Sequence, residues 1–342
     1  MHHRCSIVPI DVIRRLSRLR TLSDATRSHL VRTASADVEL RKLRRQSGRV
    51  TTAALELAPS FAIATAPAIT VYDCKNSQTT PGSPIATPDT STDPDAKQVF
   101  DTTNRLTEFY RSVFGRNSID NGGMTIMSSI HYGSNYNNAL WIGSQMVYGD
   151  GDGQLFENFC NEDDVIGHEL THGVTQHTLQ LSYTGDSGGL NEGNSDVFGS
   201  MFRQWNASQD VDQADWLIGA GIMGPVARQR GYTCLRDMAQ PAATHCLAAQ
   251  PTNYSQLTPN MDPHYSSGVP NFAFYKMAKA IGGKSWETAG QIWYATLTGM
   301  PPTPNLSMKA FADFMRGCAS QLNPGNTSVI QAVDQAWSAV GL

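Results

Sequence analysis

Residues 168–172 read His-Glu-Leu-Thr-His. They follow Asn161-Glu162-Asp163-Asp164, an acidic run suited to a helix N-terminus, where the helix dipole favours negative charge. Helix positions i and i+4 share a face, so His168 and His172 offer two imidazoles to one zinc ion. Glu169 sits one step round, beside the ion rather than on it, where a carboxylate serves as a base toward water. Two surface histidines flanking a solvated glutamate is the plainer alternative. A catalytic zinc site needs a third protein ligand and an open position. Glu192 is the candidate, in Gly189-Leu190-Asn191-Glu192-Gly193-Asn194-Ser195-Asp196, where it opens a second predicted helix. Asp196, one turn later, is placed to hold a ligating imidazole by its distal nitrogen. Without a metal, Glu192 would be a first-turn glutamate favoured by the dipole and Asp196 half of a salt bridge. Other zinc families with this pentapeptide take a third histidine six residues after the second, with a glycine midway. Here those positions are Thr178 and Thr175, and His177 falls one place early. The glutamate-ligand class is therefore preferred.

The elements that must position these groups are legible in outline. At 342 residues the chain exceeds one ordinary core, and 40% hydrophobic with 16% charged residues is ordinary for a globular protein. Residues 1–50 carry twelve Lys and Arg against four Asp and Glu, a net charge of +8, whereas the remainder carries fourteen against twenty-six, or −12. Opposite charges in one chain suggest intramolecular docking of a basic arm on an acidic body. No aromatic interleaving or nucleic-acid motif accompanies the arm, so no nucleic-acid partner is expected. No apolar run of eighteen residues occurs, so no membrane span is expected. Pro9 and Asp11 interrupt the short apolar run at the start, which leaves no visible signal-peptide core. The expected location is thus the cytoplasm, or the exterior by a non-classical route.

Ile10, Ile13, Leu16, Leu19 and Leu22 recur at three-residue steps among arginines, predicting a cationic amphipathic helix over 10–22. A polar, arginine-rich stretch runs on to Arg49, and an Ala, Thr and Pro connector follows around 58–67. From 68 to about 161 short β-like runs and turns surround a helix over 96–114, a mixed α/β unit. Beyond that, helices are expected near 162–177, 191–205, 267–281, 285–297, 307–321 and 326–339. Six cysteines show no paired CxxC spacing. Cys234 and Cys246 are either two free thiols or, in an oxidising setting, the closure of a small loop.

With these motifs in place the chain resembles the thermolysin family of zinc metallopeptidases, and within it the protealysin-like branch with a short propeptide. The match extends beyond the zinc helix and Asn191–Asp196 to Tyr136-Asn137-Asn138-Ala139-Leu140-Trp141 and Gln145 through Gly153. It also takes in Val113 through Ser118, Leu235-Arg236-Asp237-Met238, and Asp262 through Val269. The resemblance implies an α+β fold with a mixed α/β N-terminal domain and a mostly helical C-terminal domain. Its expected divisions are a propeptide over 1–66, an N-terminal catalytic domain over 67–178 that includes the zinc helix, and a helical catalytic domain over 179–342. It implies one catalytic Zn2+ on His168, His172 and Glu192, with Glu169 as general base. It further implies that His264 and Tyr183 donate to the developing oxyanion, that Asp262 orients His264, and that Asn138, Ala139 and Arg236 grip the substrate backbone. Phe156, Phe159, Val165 and Leu235 would line an apolar pocket on the leaving-group side, giving cleavage of peptides and proteins before bulky hydrophobic residues.

Read alone, His264 could cap a turn, Tyr183 could sit at a rim, Arg236 could pair with Asp237 or another acid, and the apolar four could be core. An inactive zinc-binding or interaction module on the same scaffold is the alternative function. Cys5-Ser6-Ile7-Val8-Pro9 and the amphipathic helix resemble the short propeptide, which implies that the chain's own N-terminal segment is an intramolecular inhibitor; whether Cys5 contacts zinc stays open. Arg203 stands where large secreted members have a glutamate for paired calcium ions, so that calcium site is expected to be absent. Asp150 and Asp152 lack the spacing of an EF-hand and read as a turn.

Overall fold

The computed structural model describes residues 6–47 and 66–342. Residues 1–5, Cys5 among them, and 48–65, which include most of the connector expected around 58–67, lie outside the described residues. Two compact units emerge: one holds the described residues up to Asn161 together with Gly224–Val226, and the other Glu162–Met223 and Ala227–Leu342.

The first unit opens with helices α1 (Ile10–Ser17) and α2 (Asp24–Ser47). Ile10, Val12, Ile13 and Leu16 of α1 are buried while Arg14 and Arg15 face outward, as its amphipathic pattern requires. The expected helix to residue 22 stops early. Arg18, Leu19 and Leu22 instead donate to carbonyls three residues back, the tighter winding that a strict three-residue spacing suits better than 3.6. Helix α2 was not legible in the arginine-rich stretch. Its buried face runs Thr26, Leu30, Thr33, Ala36, Asp37, Leu40 and Arg41, so the helical period is carried half by polar residues.

A five-stranded sheet follows, formed by β1 (Ile69–Asp73), β2 (Ser83–Pro84), β3 (Ile126–Ile130), β4 (Ala139–Trp141) and β5 (Met146–Tyr148). The spatial order is β2-β1-β3-β5-β4, parallel at β1–β3 and β3–β5 and antiparallel at both edges. Helix α3 (Pro94–Phe114) makes the crossover. Asp93 caps its start by accepting from the N–H groups of Asp95 (3.0 Å) and Ala96 (3.4 Å). Gly115, at φ 66°, closes it in the left-handed region. Val99, Leu106, Phe109, Val71, Ile126 and Val147 supply core side chains of this unit.

The second unit is helical, as its periodicity predicts. It contains α4 (Asp163–Gln176), α5 (Gly185–Asn206), most of α6 (Pro225–Gln229), α7 (Pro263–Ser266), α8 (Gly268–Ile281), α9 (Thr288–Gly299), α10 (Met308–Leu322) and α11 (Thr327–Ala339), with a small antiparallel pair β6 (Leu217–Ile218) and β7 (Arg236–Asp237). Trp293 and Trp337 stack at 5.9 Å, edged by Phe311 and Phe274, a large apolar burial that holds α8 to α11 together. Helix α5 begins six residues earlier than expected, because Gly185, Gly188 and Gly189 read as a loop yet are helical. Glu192 therefore lies two turns inside the helix rather than at its opening.

Candidate active site

Helices α4 and α5 cross at glycine. A β-carbon on Gly199 would lie 2.6 Å from the Asp164 carbonyl oxygen, and one on Gly167 would lie 2.9 Å from Gly199 Cα. Only hydrogen at both positions lets the backbones approach this closely, and that approach carries ligands on two helices to one point.

The point is formed by His168 and His172 from α4 and Glu192 from α5, all fully buried. The two Nε2 atoms are 3.1 Å apart, and each is 3.4 Å from an oxygen of Glu192. Ligands about 2.0–2.1 Å from a tetrahedral zinc stand roughly 3.3–3.4 Å from one another, so the spacing suits that ion. Tautomer chemistry agrees. His168 Nδ1 lies 2.8 Å from Asp196 Oδ1, and His172 Nδ1 lies 2.8 Å from Asn191 Oδ1 and 3.0 Å from Ser195 Oγ. A carboxylate and an amide oxygen hold the ring protons at Nδ1. Both Nε2 lone pairs then face each other and a carboxylate, an arrangement that requires a cation. Glu192 Oε2 makes no hydrogen bond among the described residues. The same demand for positive charge appears in His168, where burial would lower the imidazole pKa but Asp196 and Glu192 raise it to about 9. The three residues fit zinc.

Behind the ligands lies a fully buried ion pair. Arg236, on β7, places Nε and Nη2 each 2.7 Å from an oxygen of Asp196, and Asn271 Nδ2 donates to Asp196 Oδ2 at 2.8 Å. Burial would raise the Asp196 carboxyl, but Arg236 and His168 hold it at about 2. Asp196 thus links His168 to Arg236. Arg236, expected at the substrate backbone, spends this part of its fork on the other acid that the sequence left open. Asn191, Ser195 and Asn271 announce no role by residue type alone. Their signal was helical spacing, since Asn191 and Ser195 lie one turn apart on the face of α5 that meets His172.

Asp262 caps α7 and accepts from His264, with Oδ1 2.6 Å from Nδ1 and 3.1 Å from the backbone N–H. Burial would lower the His264 pKa, but Glu192 and Asp262 raise it. His264 Nε2 is 3.7 Å from Glu192 Oε2 and 3.3 Å from the Tyr183 hydroxyl, and that hydroxyl donates to Glu192 Oε1. Both expected oxyanion donors therefore converge beside the ligand carboxylate. Glu169 is fully buried on the same helix as the histidines.

In the other unit, Asn138 and Ala139 are engaged by the N-terminal segment. Ile7 N–H donates to the Ala139 carbonyl at 3.1 Å. Val8 N–H donates to Asn138 Oδ1 at 3.0 Å, and Asn138 Nδ2 returns a bond to the Val8 carbonyl at 3.1 Å. Residues 7–8, a bend in the chain, lie against the start of β4, an edge strand of the sheet, through one backbone bond and two bonds to the Asn138 side chain. Phe156 and Phe159 are buried with ring centroids 5.6 Å apart in this unit, while Val165 and Leu235 are buried in the helical one. In the loop after β5, Asp152 Oδ1 accepts from the N–H groups of Gln154 and Leu155, the turn the sequence indicates.

Two imidazoles from one helix and a glutamate from the next define a zinc peptidase centre of the glutamate-ligand type. The family model of the thermolysin metallopeptidase catalytic domain matches residues 43–176, and that of its α-helical domain matches residues 179–342. An extracellular metalloprotease of Pectobacterium carotovorum subsp. carotovorum is 40% identical over 245 residues, covering 69% of each chain. Protease PrtS of Photorhabdus sp. (strain Az29) is 36% identical over 80% of this chain and 76% of its own. The solved precursor of protealysin, a metalloproteinase from Serratia proteamaculans, superposes with a TM-score of 0.82 at 32% identity, covering 98% of this chain and 99% of its own. The chain belongs to the thermolysin family of zinc metallopeptidases and is a metalloendopeptidase.

Proposed function

We propose that the chain is the precursor of an endopeptidase that cuts before bulky hydrophobic residues, with residues 1–66 as its removable inhibitor. The observation that carries this reading is the bonding of Ile7 and Val8 to Asn138 and Ala139, the groups expected to grip a substrate backbone. A peptide in that register would meet the same donors and acceptors, so the segment and a substrate compete. The likeness over nearly the whole of a protealysin precursor supports the zymogen.

His168, His172 and Glu192 would hold the zinc ion, which when bound would supply Lewis-acid polarisation of the scissile carbonyl and of the attacking water. Glu169 takes the proton of the attacking water and delivers it to the leaving amine. His264, whose pKa Glu192 and Asp262 raise against the effect of burial, and Tyr183 donate to the oxyanion that develops. The family resemblance assigns Phe156, Phe159, Val165 and Leu235 to apolar contacts with the residue after the cut, which would favour leucine or phenylalanine there. No paired calcium site is part of this reading. Arg203 Nη1 lies 3.1 Å from Asp164 and 3.6 Å from Glu162, and Nη2 reaches Asp215, so the guanidinium supplies the positive charge those carboxylates need.

The test is full-length protein assayed on peptides carrying leucine or phenylalanine after the scissile bond, with and without a chelator, while mass spectrometry follows loss of the N-terminal segment. Chelator-sensitive cleavage that rises as the segment is lost is expected. Glu169→Gln should keep zinc and lose about 10²- to 10⁴-fold in kcat; unchanged turnover would sink the mechanism. A folded, zinc-loaded protein freed of residues 1–66 that cuts nothing in a broad peptide library would favour the binding-module alternative.

A further inference from the structure

A second set of soft donors lies in the helical unit, around β7. Cys234 and Cys246 face each other across an isolated parallel β-bridge, with Sγ atoms 3.8 Å apart. His245 brings a ring nitrogen within 4.8 Å of both. Cys234 is fully buried and Cys246 is 4% exposed, whereas the His245 side chain is 36% exposed and opens the cluster to solvent. Backbone bonds fix the two chain segments: Thr233 N–H donates to the His245 carbonyl and Leu247 N–H to the Cys234 carbonyl, each at 3.0 Å.

The sulfur separation is that of two thiols in contact. It matches the roughly 3.8 Å expected between two thiolates each about 2.3 Å from a tetrahedral zinc ion. The imidazole has its own support. Asp237 Oδ2 lies 3.1 Å from His245 Nε2, which holds the ring proton there and leaves Nδ1 as the ligating nitrogen. Asp237 is itself 5% exposed at its side chain and pinned by the N–H groups of Ala239 (2.8 Å) and Gln240 (2.9 Å) on Oδ1.

We propose that Cys234, Cys246 and His245 bind a second zinc ion, its fourth position left to solvent on the exposed side of His245, with Asp237 as the positioning residue for the imidazole. Two sulfurs and one nitrogen select zinc over harder divalent ions. Binding of this ion by two thiolates displaces the protons of both thiols. The ion closes the segment that carries Arg236, two residues after Cys234. Arg236 in turn holds Asp196 behind His168, so the second ion would brace the catalytic centre from outside it.

The experiment uses reduced full-length protein handled without oxygen. Its zinc content should be two equivalents per chain, falling to one in Cys234→Ser. Replacement by cobalt should give a thiolate-to-cobalt charge-transfer band in the near ultraviolet, to which the sulfur-free catalytic ligands contribute nothing. The band should persist in Cys5→Ser, which removes the thiol outside the described residues, and vanish in Cys234→Ser. Asp237→Asn should retain the band at saturation with cobalt affinity reduced about 10- to 100-fold. If Cys234→Ser fails to fold, His245→Asn carries the test, since its partly exposed ring can be replaced without opening the core, and it should lose the second equivalent. A single zinc equivalent in the wild type, a band that depends on Cys5, or the mass deficit of a Cys234–Cys246 disulfide in the reduced preparation would each overturn the proposal.

Discussion

At the scale of the residue, the catalytic centre is a set of imidazoles whose protons are assigned by their neighbours. Asp196 does this for His168, and its carboxyl stays ionised because Arg236 offsets the cost of burial. Asp196→Asn should therefore leave zinc bound but weaken it about 10- to 100-fold, measured by competition with a chromophoric chelator; unaltered affinity would mean that Asp196 does not tune the ligand. A different histidine contributes pH dependence in the sheet unit. His131 lies 2.9 Å from Asp150 and 3.0 Å from Asp93. The Asp150 hydrogen bond, with Asp93 and against burial, raises it from 6.5 to about 9. A folded pKa above the unfolded one contributes stability that is complete below about pH 6.5 and is lost as pH rises through about 9. Discounted for partial exposure, the contribution is on the order of 1–2 kcal/mol. Thermal unfolding of wild type and His131→Asn should differ at pH 6 and converge near pH 10.

At the scale of the element, the decisive feature is the approach of α4 to α5. Gly167 and Gly199 meet where any β-carbon would strike backbone rather than a side chain that can swing away. Gly199→Ala must separate the helices, and overpacking of this kind costs about 1–3 kcal/mol. The displacement also moves Glu192 relative to the histidines, so zinc affinity should fall together with the melting temperature. A variant that lost stability but bound zinc normally would show that the crossing and the ligand geometry are independent. Helix α2 teaches a related lesson. Its buried positions include Asp37, which bonds Asn138 Nδ2 (3.1 Å), Arg41 (3.2 Å) and the Tyr136 hydroxyl. A residue that sequence patterning assigns to solvent is here a buried tie between the N-terminal segment and the sheet.

At the scale of the whole molecule, that tie bears on activation. Asp37→Asn would weaken the bond to Arg41 and leave a neutral group where Asn138 and Tyr136 donate to a carboxylate. Loss of the N-terminal segment, followed by mass spectrometry during incubation, should accelerate in this variant by tenfold or more; an unchanged rate would separate Asp37 from retention of the segment. Much of the molecule was legible beforehand. His168, Glu169 and His172 declare themselves by i, i+4 spacing, and the helices from 268 onward by their 3.6-residue apolar period. Both signals are local, and local geometry follows from backbone hydrogen bonding alone. The start of α5, the whole of α2 and the partners of His172 were not legible. Glycines and polar residues there serve a face whose neighbour is distant in sequence, so their meaning depends on what packs against them. The sequence by itself determined which atoms can ligate, which residues can move a proton, and the class of peptidase. Only the tertiary structure decided the convergence of Glu192 on two imidazoles, the turning of Arg236 to Asp196 and the pairing of Cys234 with Cys246. Each of these requires long-range chain closure, and what stabilises that closure is the burial of the whole core rather than any motif within it.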